Sequence, residues 1–392
     1  MPPILVAAIP ITDKMKAPQL HRLLQQVVLG LLNQNIKVIS YSCDGTEVER
    51  AVQKLFVEAA DERILVELPH GVYIEIAVVR GQLIVMIQDS KHGLKTFRNN
   101  LFSGARLLVL GNYPAYFEHI HALAYDDGTP LYRRDVERID RQDDNAASRL
   151  FSGVTLDFIV KQHPDQLGVI VYLFVFGELI DAYQNRHINH AERVVMVLRA
   201  QYFVDMWLNF TLKAGYAKAR YFMSRESVEI IRFLVDDLIS LIVVHRDHLP
   251  TDSAPIPLLP WLHSSEVCEH VFGLSRQIIM DFTMVDLLHM VPKLKVQIQS
   301  VKPGDYGLRI YGLVCSIYLN PLTTDWSGQI WPDLASRLAT SGSPFIKVSS
   351  DARGSIIPSP IDCQSVQMNV RGLAIDQRGT IGWAIGQVLI IC

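Results

Sequence analysis

The chain has 392 residues, room for one large domain or two to three ordinary ones. Composition is 49% hydrophobic and 20% charged, which excludes a disordered chain, and a formal charge of −3 excludes a uniformly basic surface for holding polyanions. Five cysteines (Cys43, Cys268, Cys315, Cys363, Cys392) lie without CxxC or finger spacing, so neither a zinc module nor a disulfide framework is indicated.

The opening stretch, Met1 to Pro10, is apolar but lacks a basic leader and is too short for a secretory signal. The longest apolar run, Val169 to Gly177, is about half a membrane span. The expectation is a soluble intracellular protein with no membrane partner.

Ile4 to Ile11 reads as a first strand. Pro18 then opens a helix in its first turn, a favoured place for proline. Its apolar stripe is Leu20, Leu23, Leu24, Val27, Val28 and Leu31, and Asn33-Gln34-Asn35 ends it. The next strand contains Val38, Ile39 and Tyr41 and stops at Asp44-Gly45. Strand, helix, strand at this spacing predicts a crossover with the two strands parallel in one sheet. A second helix follows at once, with Val48, Val52, Leu55 and Phe56 at spacings of three and four. A carboxylate at the carboxyl end of a buried strand faces the crevice where α/β proteins place their chemistry. Asp44 equally reads as the cap of the helix behind it.

Strand-like runs come next at Ile64–Leu68, Val72–Val79 and Leu83–Ile87. The last ends in Gln88-Asp89-Ser90-Lys91-His92, so Asp89 is a second acid at a strand end. A helix follows with Leu94, Phe97 and Leu101 inward and Lys91, Lys95 and Arg98 on another face. Such a basic stripe is usually a solvated surface. Beside an acidic crevice it becomes a candidate for a phosphate backbone.

From about residue 106 to 250 the pattern is mostly helical: Leu167–Tyr183, Ala191–Leu212 and Val228–Val244, with a charge-dense stretch at Arg133–Arg149 that reads as exposed. Thr251–Pro260 reads as a Pro/Ser-rich linker into a helix beginning near Ser264 or Ser265, with Glu266 and Glu269 in its first turn. Those two acids serve the helix dipole, or one of them is a third site carboxylate. Beyond about residue 300 there are strand-like pieces (Leu308–Leu319, Thr380–Ile391) and no usable motif.

Carboxylates converging from strand ends and one helix suit hard cations such as Mg²⁺, and a metal pair about 4 Å apart serves phosphoryl transfer. Acids at strand ends are common, so the wording of the motifs carries more. Cys43-Asp44-Gly45 with Arg50, then Asp89-Ser-Lys-His92-Gly-Leu-Lys95-Thr-Phe-Arg98-Asn99, then Ser265-Glu266-Val-Cys-Glu269-His-Val-Phe272-Gly-Leu-Ser-Arg276 resemble the P-element and related THAP-type DDE transposases. The resemblance runs over roughly residues 3–295 in the same order.

It implies an α/β fold: an RNase H-like mixed sheet with flanking helices, interrupted by a large helical insertion. The domains expected are residues 1–102 and 261–298 of the RNase H-like part, a mainly helical insertion at 103–260, and a tail of unknown role at 299–392. It further implies catalytic and metal-binding roles for Asp44 and Glu269, with Asp89, His92 and Glu266 in support. Mg²⁺ or Mn²⁺ would be the cofactor and GTP a ligand of the insertion. DNA at transposon ends would be the partner, together with a homo-oligomer in the nucleus. The family's first acid lies two strands before Ile4–Ile11, and the expectation is that this chain begins too late to contain it. Cleavage and strand transfer are thus the implied ancestral activity, in a chain expected to be inactive as given. The alternative is a domesticated, non-catalytic scaffold for DNA or protein. A nucleotide-binding α/β protein is a third reading, opposed by the absence of either Gly-rich phosphate loop.

Overall fold

Apolar residues alternate in Glu62–Leu68 and run unbroken through Leu83–Ile87, both strand patterns, and residues at spacings of three and four on either side give helices, so that sheet and helix segments interleave. A computed structural model describes residues 4–9, 15–68, 72–111, 113–249, 257–300 and 388–391. In chain order the elements are β1 (Ile4–Ala8), α1 (Ala17–Asn33), β2 (Ser40–Cys43), α2 (Glu47–Glu58), β3 (Glu62–Leu68), β4 (Val72–Val79), β5 (Gln82–Gln88), α3 (Ser90–Phe102), β6 (Leu108–Leu110) and β7 (Tyr113–Ala115). Then come α4 (Phe117–Leu123), α5 (Arg134–Glu137), α6 (Asp144–Leu150), α7 (Gly153–Gln162), α8 (Leu167–Gln184), α9 (His190–Lys213), α10 (Lys218–Tyr221), α11 (Arg225–Asp247), α12 (Glu266–Ile278), α13 (Met284–Ser300) and β8 (Val388–Ile391). The chain divides into two units. One holds Met1–Asp89, Ile239–Cys315 and Asp376–Cys392; the other holds Ser90–Leu238 and Ser316–Ile375.

The first unit is built on a four-stranded mixed sheet in the order β2-β5-β4-β3. β2 runs parallel to β5, and the other neighbours are antiparallel. One face is covered by α1 and α2, whose stripes (Leu24, Val28 and Leu31; Val52 and Phe56) pack with Ile84 and Met86 of β5. β3 has β4 as its only neighbour among the described residues, and Arg63 meets Glu75 across the two strands at 2.8 Å. Charge on an edge strand discourages further pairing.

β1 departs from the expected crossover. It pairs in parallel with β8 in a separate two-stranded sheet, and β2 finds its parallel neighbour in β5 instead. The crossover rule gives the sense of a connection between two strands of one sheet, but not which strand claims the edge. The expected strand at Leu308–Leu319 lies outside the described residues, as does most of the Pro/Ser-rich linker. In the same unit α12 and α13 share an apolar seam of Val271, Leu287, Met290, Leu294 and Ile298.

The second unit is mainly helical around α8. This helix is long and apolar enough to cross a membrane by length and composition, and every residue in it is buried. At Gly168 the helix comes so close to β7 that a Cβ would lie 2.5 Å from the carbonyl oxygens of Tyr113 and Pro114, so glycine is required there. Two buried charges of this unit are matched by polar partners. Arg199 bridges Glu178, whose carboxyl burial still raises to about 7. Arg193 gives its guanidinium to the carbonyls of Ala182 and Asn185, both at 2.5 Å, and burial lowers its pKa to about 10. A buried guanidinium is tolerable only with its N–H groups spent in this way.

A shared-hydroxyl carboxylate pair as the candidate functional site

The Asp44 turn is fixed by its own neighbours. Gly45 has φ +82°, which costs glycine nothing, and a Cβ there would lie 1.7 Å from Oε1 of the Gln88 side chain. Gln88 is fully buried, and its Nε2 donates to the Asp44 carbonyl at 2.7 Å. Arg50, also buried, donates to the Gly45 carbonyl. Capping of α2 falls to Thr46: its hydroxyl accepts from the Glu49 amide at 3.3 Å, and Glu49 Oε2 accepts from the Thr46 amide at 2.9 Å. This reciprocal box relieves Asp44 of the capping role.

Register then places the two strand-end acids together. Cys43 is the partner of Gln88 in the parallel β2–β5 pair, and the Asp89 amide donates to the Cys43 carbonyl at 2.9 Å. Asp44 and Asp89 are thus successive positions past one rung of the ladder, on one rim of the sheet. Between them stands Ser265. Its hydroxyl lies 2.5 Å from Asp44 Oδ1 and 2.7 Å from Asp89 Oδ2, and its amide donates to the same Asp89 oxygen at 2.9 Å. Ser265 is the N-cap of α12, yet its side chain makes no cap hydrogen bond. Its hydroxyl is committed to the rim.

A second tie two residues earlier holds this segment. His263 Nδ1 and Ser40 Oγ of β2 share a hydrogen bond of 2.7 Å. Desolvation lowers the His263 pKa to about 4, with His245 adding to it, so the ring is neutral at pH 7.

The remaining residues singled out from the sequence are placed as follows. Glu266 is the first residue of α12 and half-buried. Glu269 is exposed; its amide donates to the Ser265 carbonyl at 3.2 Å, so it stands one turn beyond Ser265 on the same helical face. His92 lies in the first turn of α3, half-buried, with its carbonyl accepting from the Thr96 hydroxyl at 3.1 Å. The basic stripe of α3 is not a surface. Lys91, Lys95 and Arg98 are 9%, 8% and 1% exposed. Lys95 pairs with Asp144 at 3.1 Å, and Arg98 donates to the carbonyls of Asp135 and Asp140 at 3.0 and 2.7 Å. Helical spacing shows that three cations share a face, but not that the charge-dense 133–149 segment lies over it.

Ser265 is the site residue that sequence reasoning passed over, having read it only as a cap. Thr46 was also legible, since Thr46-Glu-Val-Glu49 is a capping-box pattern that frees Asp44.

Asp44, Asp89 and the Ser265 hydroxyl are hard oxygen donors around one point, the chemistry that Mg²⁺ takes. Among the described residues there is no group of three or more His, Cys, Asp or Glu side chains suited to a metal ion. The rim thus gathers two carboxylates and one hydroxyl, which falls short of what a pair of cations needs.

A mixed sheet with paired acids on its rim and a largely helical second unit is the class of architecture defined so far. No protein-family model matches the chain, and no curated protein matches it in sequence. Among solved structures it is similar to the Drosophila P element transposase strand transfer complex, with a TM-score of 0.51 and 12% identity. The match covers 74% of this chain and 66% of that one, just under two-thirds of the neighbour's length. At that identity the likeness is one of fold.

Proposed function

We propose that this chain is a transposase-derived protein with an RNase H-like core, in which Asp44, Asp89 and the Glu269 helix correspond to the catalytic metal site, and that by itself it neither cuts nor joins DNA. One observation carries the reading. Two strand-end acids meet the start of α12 at Ser265, 221 and 176 positions away in sequence. That convergence occurs in a fold similar to a transposase.

A bound Mg²⁺ or Mn²⁺ would activate water or a 3′-hydroxyl and steady the leaving oxygen. Asp44 and Asp89 would hold it from the sheet rim, and Ser265 would orient both carboxylates. Glu269, one turn along α12, would complete the set by turning inward from its exposed position. Holding two cations against their mutual repulsion takes more carboxylate than the rim gathers, which supports the absence of cleavage. DNA as partner and a nuclear location are part of the same proposal. The alternative, a non-catalytic scaffold, draws support from Ser265 itself, because its hydroxyl already stands between the two rim acids.

The test is calorimetric titration with Mn²⁺ beside a nicking assay on labelled duplex DNA. Weak binding that Asp44→Asn abolishes, with no nicking above a Glu269→Gln control, is expected. No binding at all would favour the scaffold. Metal-dependent nicking lost in Glu269→Gln would overturn the claim of inactivity.

A further inference from the structure

Residues 206–225 contain no aspartate or glutamate, and neither do residues 101–117. Between them the two stretches carry Arg106, Lys213, Lys218, Arg220 and Arg225. The second unit brings them together. Arg106 Nη1 donates to the carbonyls of Lys218, Ala219 and Phe222 at 3.4, 2.8 and 3.2 Å, and the Leu107 amide donates to the Arg220 carbonyl at 2.8 Å. Trp207 Nε1 reaches back to the Val109 carbonyl at 2.8 Å. The end of α9 is set as firmly. The Tyr216 amide donates to the Thr211 carbonyl at 3.0 Å, and the Gly215 amide to that of Leu212 at 3.1 Å. These two bonds close the helix, and the apolar contact that accompanies such a turn is Tyr216 against Phe210, with ring centroids 6.2 Å apart.

The segment held in this way presents apolar and basic side chains together. Leu212 and Tyr216 are 58% and 37% exposed, and Ala214 and Ala217 are exposed beside them. Lys213, Lys218 and Arg220 are interleaved with these residues and exposed too, and among the described residues none of the three has an ion pair. The acids flanking the segment are spent elsewhere: Asp205 pairs with Arg232 at 3.5 Å, and Glu229 with Arg225 at 3.4 Å.

Lone surface lysines are usually just solvated, and Lys213 also stands in the last turn of α9, where a cation suits the helix dipole. Neither reading accounts for an exposed leucine fixed among three unpaired cations in acid-free chain. A phosphate backbone would leave that leucine unused. An apolar centre with a charged rim is the build of a protein interface. We propose that residues 212–220 are a docking surface for an acidic, amphipathic peptide segment of another protein, with Leu212 and Tyr216 receiving its apolar side chains and Lys213, Lys218 and Arg220 its carboxylates. This surface lies in the second unit and asks nothing of the carboxylate rim.

Fluorescence anisotropy of the full chain tests this with three labelled probes: a peptide in which Asp and Glu alternate with Leu and Phe, polyglutamate, and duplex DNA. The peptide should bind more tightly than polyglutamate. Lys213→Glu/Lys218→Glu should weaken the peptide by at least about tenfold at low salt, and the difference should shrink as salt rises. Leu212→Ser should weaken the peptide by about tenfold and leave polyglutamate unchanged. Lys37→Glu/Lys293→Glu, at exposed positions of the first unit, is the charge control, and thermal melts establish that each variant is folded. The proposal is overturned if the peptide does not bind, if it binds no better than polyglutamate, or if the control pair loses as much as Lys213→Glu/Lys218→Glu. It is also overturned if Lys213→Glu/Lys218→Glu weakens duplex DNA and leaves the peptide unchanged.

Discussion

Removing the Ser265 hydroxyl should expose how the carboxylate rim is held. Ser265 is 7% exposed, and its single hydroxyl hydrogen serves two carboxylate oxygens at 2.5 and 2.7 Å. A hydrogen bond to a charged group is worth about 1.5–3 kcal/mol net, and alanine leaves both acceptors without that donor. It also leaves two carboxylates facing each other, and like charges at about 4 Å repel by up to about 4 kcal/mol at an effective dielectric constant near 20. Water entering the vacated space relieves part of this, so Ser265→Ala should cost about 2–4 kcal/mol. Urea denaturation reads the loss as a lower midpoint at unchanged slope. Ser265→Thr keeps the hydroxyl and should recover most of it. Mn²⁺ should stabilise the alanine variant more than wild type, since a cation replaces the missing donor. If alanine, threonine and wild type share one midpoint with and without Mn²⁺, the hydroxyl is not what holds the acids together.

Gly45→Ala should destabilise by about 2–4 kcal/mol, from a left-handed backbone plus displacement of buried Gln88. Thermal denaturation of Gly45→Ala beside Gly45→Ala/Gln88→Ala would show the double variant regaining part of the loss; a single-variant loss under about 0.5 kcal/mol would refute the steric account. For His263 the folded pKa of about 4 lies below the unfolded value, so the unfolded chain takes up a proton first as pH falls. Its contribution is complete above about pH 6.5 and is lost as the pH drops towards 4, by at most about 3 kcal/mol. Urea midpoints across that range should fall more steeply in wild type than in His263→Gln; parallel curves would count against it.

Much of the first unit was legible because periodicity is a local property. β3, β4, β5 and α3 fall where alternation and helical spacing put them, and Asp44 and Asp89 stand at strand ends as expected. What escaped was partnership. Nothing near Ser265 in sequence tells that its hydroxyl turns away from its own helix, because the acceptors lie 221 and 176 positions back. The α3 cations were misread for the same reason. A stripe of Lys91, Lys95 and Arg98 looks like a wet face until the 133–149 segment supplies carbonyls and Asp144 to cover it. β1 was assigned by a rule about neighbours in one sheet, and its strand partner comes from the far end of the chain.

The all-round burial of α8 has a consequence for how the chain is made. Its cover includes α9, which is synthesised only after it, within a unit whose first segment runs to Leu238. At ribosomal rates of about 5–20 residues per second, the interval between Gln184 and Leu238 lasts several seconds. Through that time, of its main neighbours among the described residues, α8 has α3, α7 and β7 to lie against. Newly made chains in that window carry a partly covered apolar helix, the kind of surface that chaperones hold. The arrival of α9 closes that interval and completes the cover of the helix.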